Sequence, residues 1–232
     1  MNKPRVTAIL LSAGDSNRMN KQTSKQLIQI AGESIVSRTA RAFADCGLIT
    51  NIIIVARLDD IQAVKAQTSD IPLVSAVIPG GDCRAESAKI GFLAAKASSD
   101  FVAIHDGARC LVTTEIIDNV VSAAISCGAA SAGTLVTDTV KMVDGELSIK
   151  STLDRSQLCF ATTPQVFSTE IYAEALERYR GDMSLITDDN MLVEAIGVDI
   201  KIIDCGKENI KITTADDLDL AEFLLEKRKR NE

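Results

Sequence analysis

The stretch Val6-Thr7-Ala8-Ile9-Leu10-Leu11 runs without a break into Ser12-Ala13-Gly14-Asp15-Ser16-Asn17-Arg18-Met19. A continuous apolar and β-branched run with no polar face reads as a strand buried on both sides, the kind that parallel sheets use. The small residues that follow let an anion come close to backbone N–H groups. Arg18, and then Lys25 within Ser24-Lys25-Gln26, place two cations beside that cradle. A buried strand ending this way is suited to a polyphosphate.

Working outward, similar runs recur at Asn51–Ala56, Leu73–Ile78, Phe101–His105, Ser131–Val136 and Asp199–Ile203. Amphipathic stretches separate them, at Ser34–Cys46, Asp59–Gln67, Arg84–Ala97, Thr114–Cys127, Thr169–Tyr179, Asp188–Ile196 and Ala215–Lys229. This alternation predicts an α/β fold: a mostly parallel, twisted sheet with right-handed crossovers and helices on its faces. One segment breaks the rhythm. Thr-Val-Lys-Met-Val at 139–143, then Asp144-Gly145, then Glu-Leu-Ser-Ile-Lys predicts a β-hairpin. It reads as an arm spanning residues 137–157, projecting from a single domain of residues 1–232; a plain surface hairpin fits the same pattern.

Composition narrows the function. The 232 residues are 46% hydrophobic and 25% charged, with a net charge of −7. An acidic body without a basic field argues against nucleic acid as partner, so an anionic ligand has to be held by local cations. The six cysteines form no C-x-x-C pair, and with a single histidine they make a poor zinc framework. They suit a reducing cytosol. The first apolar run is too short for a signal or membrane segment, so the expectation is a cytoplasmic protein with no membrane partner.

In open parallel sheets, ligands sit beyond the carboxyl ends of the strands. Those ends deliver Ser12 to Gly14; Gly80-Gly81-Asp82-Cys83-Arg84 with Ser87; His105-Asp106-Gly107-Ala108-Arg109; Asp138-Thr139-Val140-Lys141; and Gly206 followed by Asn209-Ile210-Lys211-Ile212-Thr213. Each piece alone is weak: Arg109 and Arg155 could be ordinary ion-pair partners, and Lys211 a solvent-facing strand residue. A lone His105 reads as a satisfied structural residue. Asp106 is the stronger candidate, because a carboxylate at that edge is costly unless it meets a sugar hydroxyl, a cation or a metal. The Walker pattern, the complete dinucleotide fingerprint and the G-x-S-x-G elbow are all absent.

Taken together, in order along nearly the whole chain, these blocks resemble the 2-C-methyl-D-erythritol 4-phosphate cytidylyltransferases. That family has a Rossmann-like, glycosyltransferase-A-type nucleotidyltransferase fold. The blocks are the opening loop through Arg18 with Lys25-Gln26, Gly80 to Ser87, His105 to Arg109, Asp138 to Lys141, Asp154-Arg155 ahead of Thr163-Pro164-Gln165, Thr187-Asp188-Asp189, and Asn209 to Thr213. The resemblance implies transfer of CMP from CTP to a polyol phosphate with release of pyrophosphate. It implies Mg2+ held mainly by the CTP phosphates, so that no protein metal-ligand set is expected. Arg18, Lys25, Arg155 and Lys211 would be catalytic. Ser12, Ala13, Gly14, Gly80, Asp82, Ser87, Asp106 and Gly107 would hold the nucleotide, and Arg109, Thr139, Thr163 and Thr187 the acceptor.

The arm would join a homodimer, with Thr139 and Arg155 serving the partner's site. Against the family pattern, Ser16, Ser24, Gly107, Cys110, Asn190, Met191 and Ala215 are departures, none of which removes a charge from the set. The neighbouring alternative is a ribitol-5-phosphate cytidylyltransferase; an alternative of another class is a non-catalytic nucleotide-binding regulator.

Overall fold

The structure is a computed structural model that describes residues 3–14 and 24–231. Arg18 and Ser16 therefore lie outside the described residues. The first strand, β1 (Val6–Ser12), is buried along its whole length. It is followed by a small antiparallel pair, β2 (Gln29–Ile30) and β3 (Glu33–Ser34), then α1 (Ile35–Ala44), β4 (Asn51–Ala56), α2 (Ile61–Gln67), β5 (Val74–Pro79), α3 (Arg84–Ala95), β6 (Phe101–Asp106) and α4 (Thr114–Cys127). The second half runs β7 (Ala129–Leu135), β8 (Lys141–Val143), β9 (Ile149–Thr152), β10 (Cys159–Ser168), α5 (Thr169–Arg178), α6 (Asn190–Glu194), β11 (Lys201–Asp204) and α7 (Ala215–Asn231).

The main sheet has seven strands in the order β11-β7-β10-β6-β1-β4-β5. β1 pairs in parallel with β4 on one side and β6 on the other. The pleat sorts its residues between two layers: Val6, Ala8 and Leu10 join Phe43 of α1, Val64 of α2 and Val120 of α4. Ile9 and Leu11 join Ala88 and Phe92 of α3, Tyr172 of α5 and Leu192 of α6. Each fully buried aliphatic side chain of this kind contributes about 1.5–3 kcal/mol. The long helix α7 closes one end through Ala221, Leu224 and Leu225, packed with Ile30, Ile35 and Ile212. Among the described residues, no helix is long and apolar enough to cross a membrane.

The predicted strands are all present, with ends shifted by at most two residues. One central strand was not predicted. β10 runs antiparallel between β6 and β7. Its Thr162-Thr163-Pro164 segment carries no strand signal, since proline lacks the N–H that a central strand donates. The fold accommodates it with a register irregularity between Ala161 and Gln165, where the Thr163–Pro164 peptide is cis.

β7 and β10 are antiparallel neighbours, so the segment between them is the enlarged connection of a strand pair. β8 and β9 form the predicted hairpin as a separate two-stranded sheet. Asp144-Gly145 does not make a two-residue turn. The Asp144 carboxylate accepts from the N–H groups of Glu146 and Ser148, both at 3.0 Å, and pairs with Lys150 at 2.6 Å. The positive φ falls on Leu147, at 62°. Met142, Val143, Leu147 and Ile149 are exposed along this arm.

Gly107 follows the last residue of β6 against β1, donating its N–H to the Leu11 carbonyl at 2.8 Å. A Cβ there would stand 2.3 Å from Ser12 Oγ and 3.0 Å from the Leu11 carbonyl oxygen. Ser12 Oγ is itself buried with no hydrogen-bond partner among the described residues. Gly107→Ala is therefore expected to cost about 1–3 kcal/mol as overpacking. Ser12→Ala, nearly neutral alone, should recover part of that loss. Urea denaturation of the two single variants and the double variant checks the coupling.

Candidate active site

The carboxyl ends of β1, β5 and β6 open on a cleft of about 450 Å³. Of the residues expected to hold the nucleotide, Ala13, Gly14, Asp82, Ser87 and Asp106 line it, together with Lys25 and Lys211. Ser12, Gly80 and Gly107 do not; they form the packing behind it. Gly80 lies where two loops meet, and a Cβ there would be 2.6 Å from the Ala13 Cβ and 2.7 Å from Ser87 Oγ. Glycine is required by that close approach.

Beyond Gly80 the chain turns into α3, whose first turn locks the loop. Ser87 Oγ accepts from the Gly81 N–H at 3.1 Å, and the Glu86 carboxylate accepts from the Asp82 N–H at 2.9 Å. The positive end of this twelve-residue helix faces the cleft, a setting that favours anions.

A second cleft of about 220 Å³ adjoins the first and is lined by Arg109, Thr162, Thr163, Gln165, Thr187 and Asp188 among others. Arg84, Asp106 and Lys211 line both. They form a shared ionic wall. Asp106 Oδ1 meets Arg84 Nε at 3.1 Å, and Oδ2 meets Lys211 Nζ at 2.9 Å and Arg109 Nε at 3.5 Å. Burial alone would raise the Asp106 pKa, but the charges of Arg84, Lys211 and Arg109 outweigh it and hold the carboxyl well below the usual range. Arg84 also pairs with Asp189, a fully buried carboxylate, at 2.7 Å.

A buried polar chain supports the wall from behind. Thr163 Oγ1 accepts from the Asp106 N–H at 3.0 Å and lies 3.0 Å from His105 Nδ1. Because the Arg109 carbonyl that faces Nε2 can only accept, Nδ1 of the neutral ring is the acceptor and Thr163 donates to it. His105 then carries its proton on Nε2, which faces the Arg109 carbonyl at 3.3 Å. Phe43 packs on the ring at 4.9 Å between centroids. Burial pushes the imidazole down to about 3, so it is neutral at physiological pH. His105 is thus the satisfied structural residue that the sequence predicts. Arg109 Nη1 donates to the Asn209 carbonyl at 2.9 Å, and Asn209 Nδ2 to the Thr163 carbonyl at 2.8 Å.

Arg155 and Thr139 stand apart from the rest. Both are exposed on the arm segment and line neither cleft of their own chain, and Arg155 Nη1 donates to the Thr137 carbonyl at 2.5 Å. The sequence gives Arg84 no role within the Gly80 to Ser87 block; its place in the wall arises only from the assembly of α3, β6 and the residue ahead of α6. Asp189 and Gln165 were likewise legible as motif letters and not as partners. Gln165 accepts from the Asp189 N–H at 2.9 Å. Because His105 is the chain's sole histidine, its imidazole NMR signals are unambiguous. They are expected to report the neutral Nε2–H tautomer and no titration from pH 8 to pH 5, whereas a midpoint in that range would break the proposed chain of donors.

Comparison with known proteins converges on one family. The sequence matches the family model for 2-C-methyl-D-erythritol 4-phosphate cytidylyltransferase over residues 6–227. A protein of that name from Symbiobacterium thermophilum is 36% identical over 225 residues, covering 97% of this chain and 94% of the relative. Another, from Caldanaerobacter subterraneus subsp. tengcongensis, is 36% identical and covers 96% and 99%. Among solved structures, a 4-diphosphocytidyl-2C-methyl-D-erythritol synthase from Anaerococcus prevotii superposes with a TM-score of 0.85 at 26% identity, covering 97% and 100% of the two chains. The Thermus thermophilus 2-C-methyl-D-erythritol 4-phosphate cytidylyltransferase gives 0.76 at 27%, covering 95% and 98%. On sequence and on fold alike, the chain belongs to the 2-C-methyl-D-erythritol 4-phosphate cytidylyltransferase family.

Proposed function

We propose that the protein transfers CMP from CTP to 2-C-methyl-D-erythritol 4-phosphate, giving 4-diphosphocytidyl-2-C-methyl-D-erythritol and pyrophosphate, a step of isoprenoid precursor synthesis. The observation that carries this reading is the pair of clefts meeting at one ionic wall. The larger, with small residues and Lys25, suits the nucleotide. The smaller, with Arg109, Thr163 and Thr187, suits a short polyol phosphate. Lys211 and Asp106 line both clefts, which supports a meeting of the acceptor phosphate and the α-phosphorus beside them.

The chemistry needs no general base. A phosphate monoester is largely dianionic at neutral pH, its second pKa lying near 6. Its oxygen attacks the α-phosphorus, a new P–O bond forms, and the bond to the β-phosphate oxygen breaks with pyrophosphate leaving. The obstacle is repulsion between two anions, and preorganised cations lower it. Lys25, with Arg18 of the opening loop, would take up charge on the α-phosphate and leaving group, and Lys211 would hold the acceptor. Among the residues lining the larger cleft, Asp82 carries the carboxylate outside the ionic wall, Asp106 being taken up by Arg84, Lys211 and Arg109. One such carboxylate suits a magnesium ion held mainly by the triphosphate, which keeps several waters and takes one or two protein carboxylates. When bound, the metal would neutralise charge on the departing pyrophosphate.

We read the arm as a dimerisation element. Its exposed Met142, Val143, Leu147 and Ile149 make an apolar surface on a projecting hairpin, the kind of patch that marks an interface. In such a homodimer Arg155 and Thr139 of one subunit would complete the site of the other.

With CTP, Mg2+ and methylerythritol phosphate the protein should release pyrophosphate, and Lys25→Ala or Lys211→Ala should lower turnover on the order of 10²–10³-fold with the fold intact. Release with ribitol phosphate alone would overturn the acceptor, and release with neither would favour a nucleotide-binding regulator. Mixing Lys211→Ala with Arg155→Ala subunits should restore about a quarter of native activity, because half of randomly reassorted dimers carry one intact site. No recovery on mixing would place Arg155 in its own subunit's site or outside catalysis.

A further inference from the structure

Arg84 opens α3 and spans two carboxylates from different elements. Its Nε donates to Asp106 Oδ1 at 3.1 Å and its Nη1 to Asp189 Oδ2 at 2.7 Å. Asp189, just ahead of α6, has no exposed surface. Its other oxygen accepts from the Tyr172 hydroxyl of α5, and its backbone N–H is held by Gln165 of β10.

The tyrosine is rigidly mounted. Phe167 stacks on its ring at 5.4 Å and Phe92 meets it edge-on at 5.0 Å. Burial and the adjoining carboxylate push the hydroxyl well above its usual range, so it remains a donor. This ionic bridge lies in the otherwise apolar layer formed by α3, α5 and α6. Apolar replacement of a buried ion pair is often neutral or stabilising, so stability alone gives little reason to keep one there.

We propose that Tyr172, Asp189 and Arg84 form a positioning relay that fixes the rotation of the Asp106 carboxylate in the cytidylyl transfer described above. Arg84 occupies Oδ1, which turns Oδ2 toward Lys211 and Arg109. The relay thereby sets where the Lys211 ammonium waits between the two clefts. None of the three is assigned a covalent or proton-transfer role; they act through Asp106. A guanidinium is needed because lysine keeps the charge but cannot fork between two carboxylates. The inference rests on the cytidylyltransferase reading.

The test is a double-mutant cycle on kcat with saturating CTP and methylerythritol phosphate. Tyr172→Phe keeps the ring and removes only the hydroxyl; it is expected to lower kcat on the order of 10-fold, the usual scale for a partner that orients a site residue. In an Asp106→Asn background the same change should cost less than about twofold, since the group it orients is already altered. Arg84→Gln should follow the same pattern, and Arg84→Lys should not rescue it. A purely structural role predicts that the losses multiply, and that outcome overturns the relay. So does native kcat in Arg84→Lys. Should Tyr172→Phe fail to fold, the Arg84 variants carry the cycle.

If the unsubstituted protein releases no pyrophosphate, the functional reading fails, and a crystal structure of Tyr172→Phe decides the relay separately. A rotated Asp106 carboxylate with Arg84 detached from Asp189 supports it. Unchanged positions of both overturn it.

Discussion

The structure depends on one constraint: a carboxylate placed at the inner end of a buried parallel strand. Asp106 terminates β6, one position past the fully buried His105, with only 7% of its surface exposed. Taking an ionised carboxylate out of water costs several kcal/mol unless charges and hydrogen bonds replace the solvent. Three different elements bring that compensation. Arg84 comes from the start of α3, Arg109 from the turn after β6, and Lys211 from the segment leading to α7. The anion thus gathers the cations, and the cations line two adjoining clefts. An acidic protein with net charge −7 obtains a locally positive site in this way without a basic surface.

The sheet is organised to make that gathering possible. β1 lies beside β6 and β4, so the small-residue turn after Ser12 opens next to Asp106 and to the loop after β5. β10 is inserted antiparallel on the other side of β6. Its irregular Thr162 to Pro164 segment brings the Thr163 hydroxyl to both His105 and the Asp106 backbone. The same antiparallel pairing with β7 lets the arm leave and return without disturbing the parallel strands.

Much of this was legible in the amino-acid order. Runs such as Val6 to Leu11 and Asn51 to Ala56 carry no polar face, and only a strand covered on both sides can use them. The block letters at the strand ends pointed to Ala13, Gly14, Lys25, Asp82, Ser87, Asp106 and Lys211, which the fold brings around one cleft. β10 was not legible, because Thr-Thr-Pro carries no local strand signal and only tertiary pairing makes the strand. The hairpin around Asp144-Gly145 was legible and is present, but the length of its loop was not. Asp144-Gly145 is a strong two-residue turn locally, yet the Asp144 side chain captures two later N–H groups and a longer loop results. Arg84 and Asp189 are separated by about a hundred residues in sequence, |i−j| being 105, and no local pattern reveals that they meet.

The amino-acid order alone carried the alternation of buried strands and amphipathic helices and the chemical kinds of group at the strand ends. Those follow from periodicity and residue type, both local properties; the family rested on the resemblance of the ordered motif blocks. The tertiary structure decided which of these groups are behind the cleft and which line it: Ser12, Gly80 and Gly107 pack, while Lys25, Asp106 and Lys211 face the space. It also decided that Asp106 is shared among three cations, that His105 is a neutral donor held by Thr163, and that Tyr172 and Asp189 stand behind Arg84. Charge compensation and hydrogen-bond satisfaction act between residues distant along the chain, so only the folded arrangement assigns them partners.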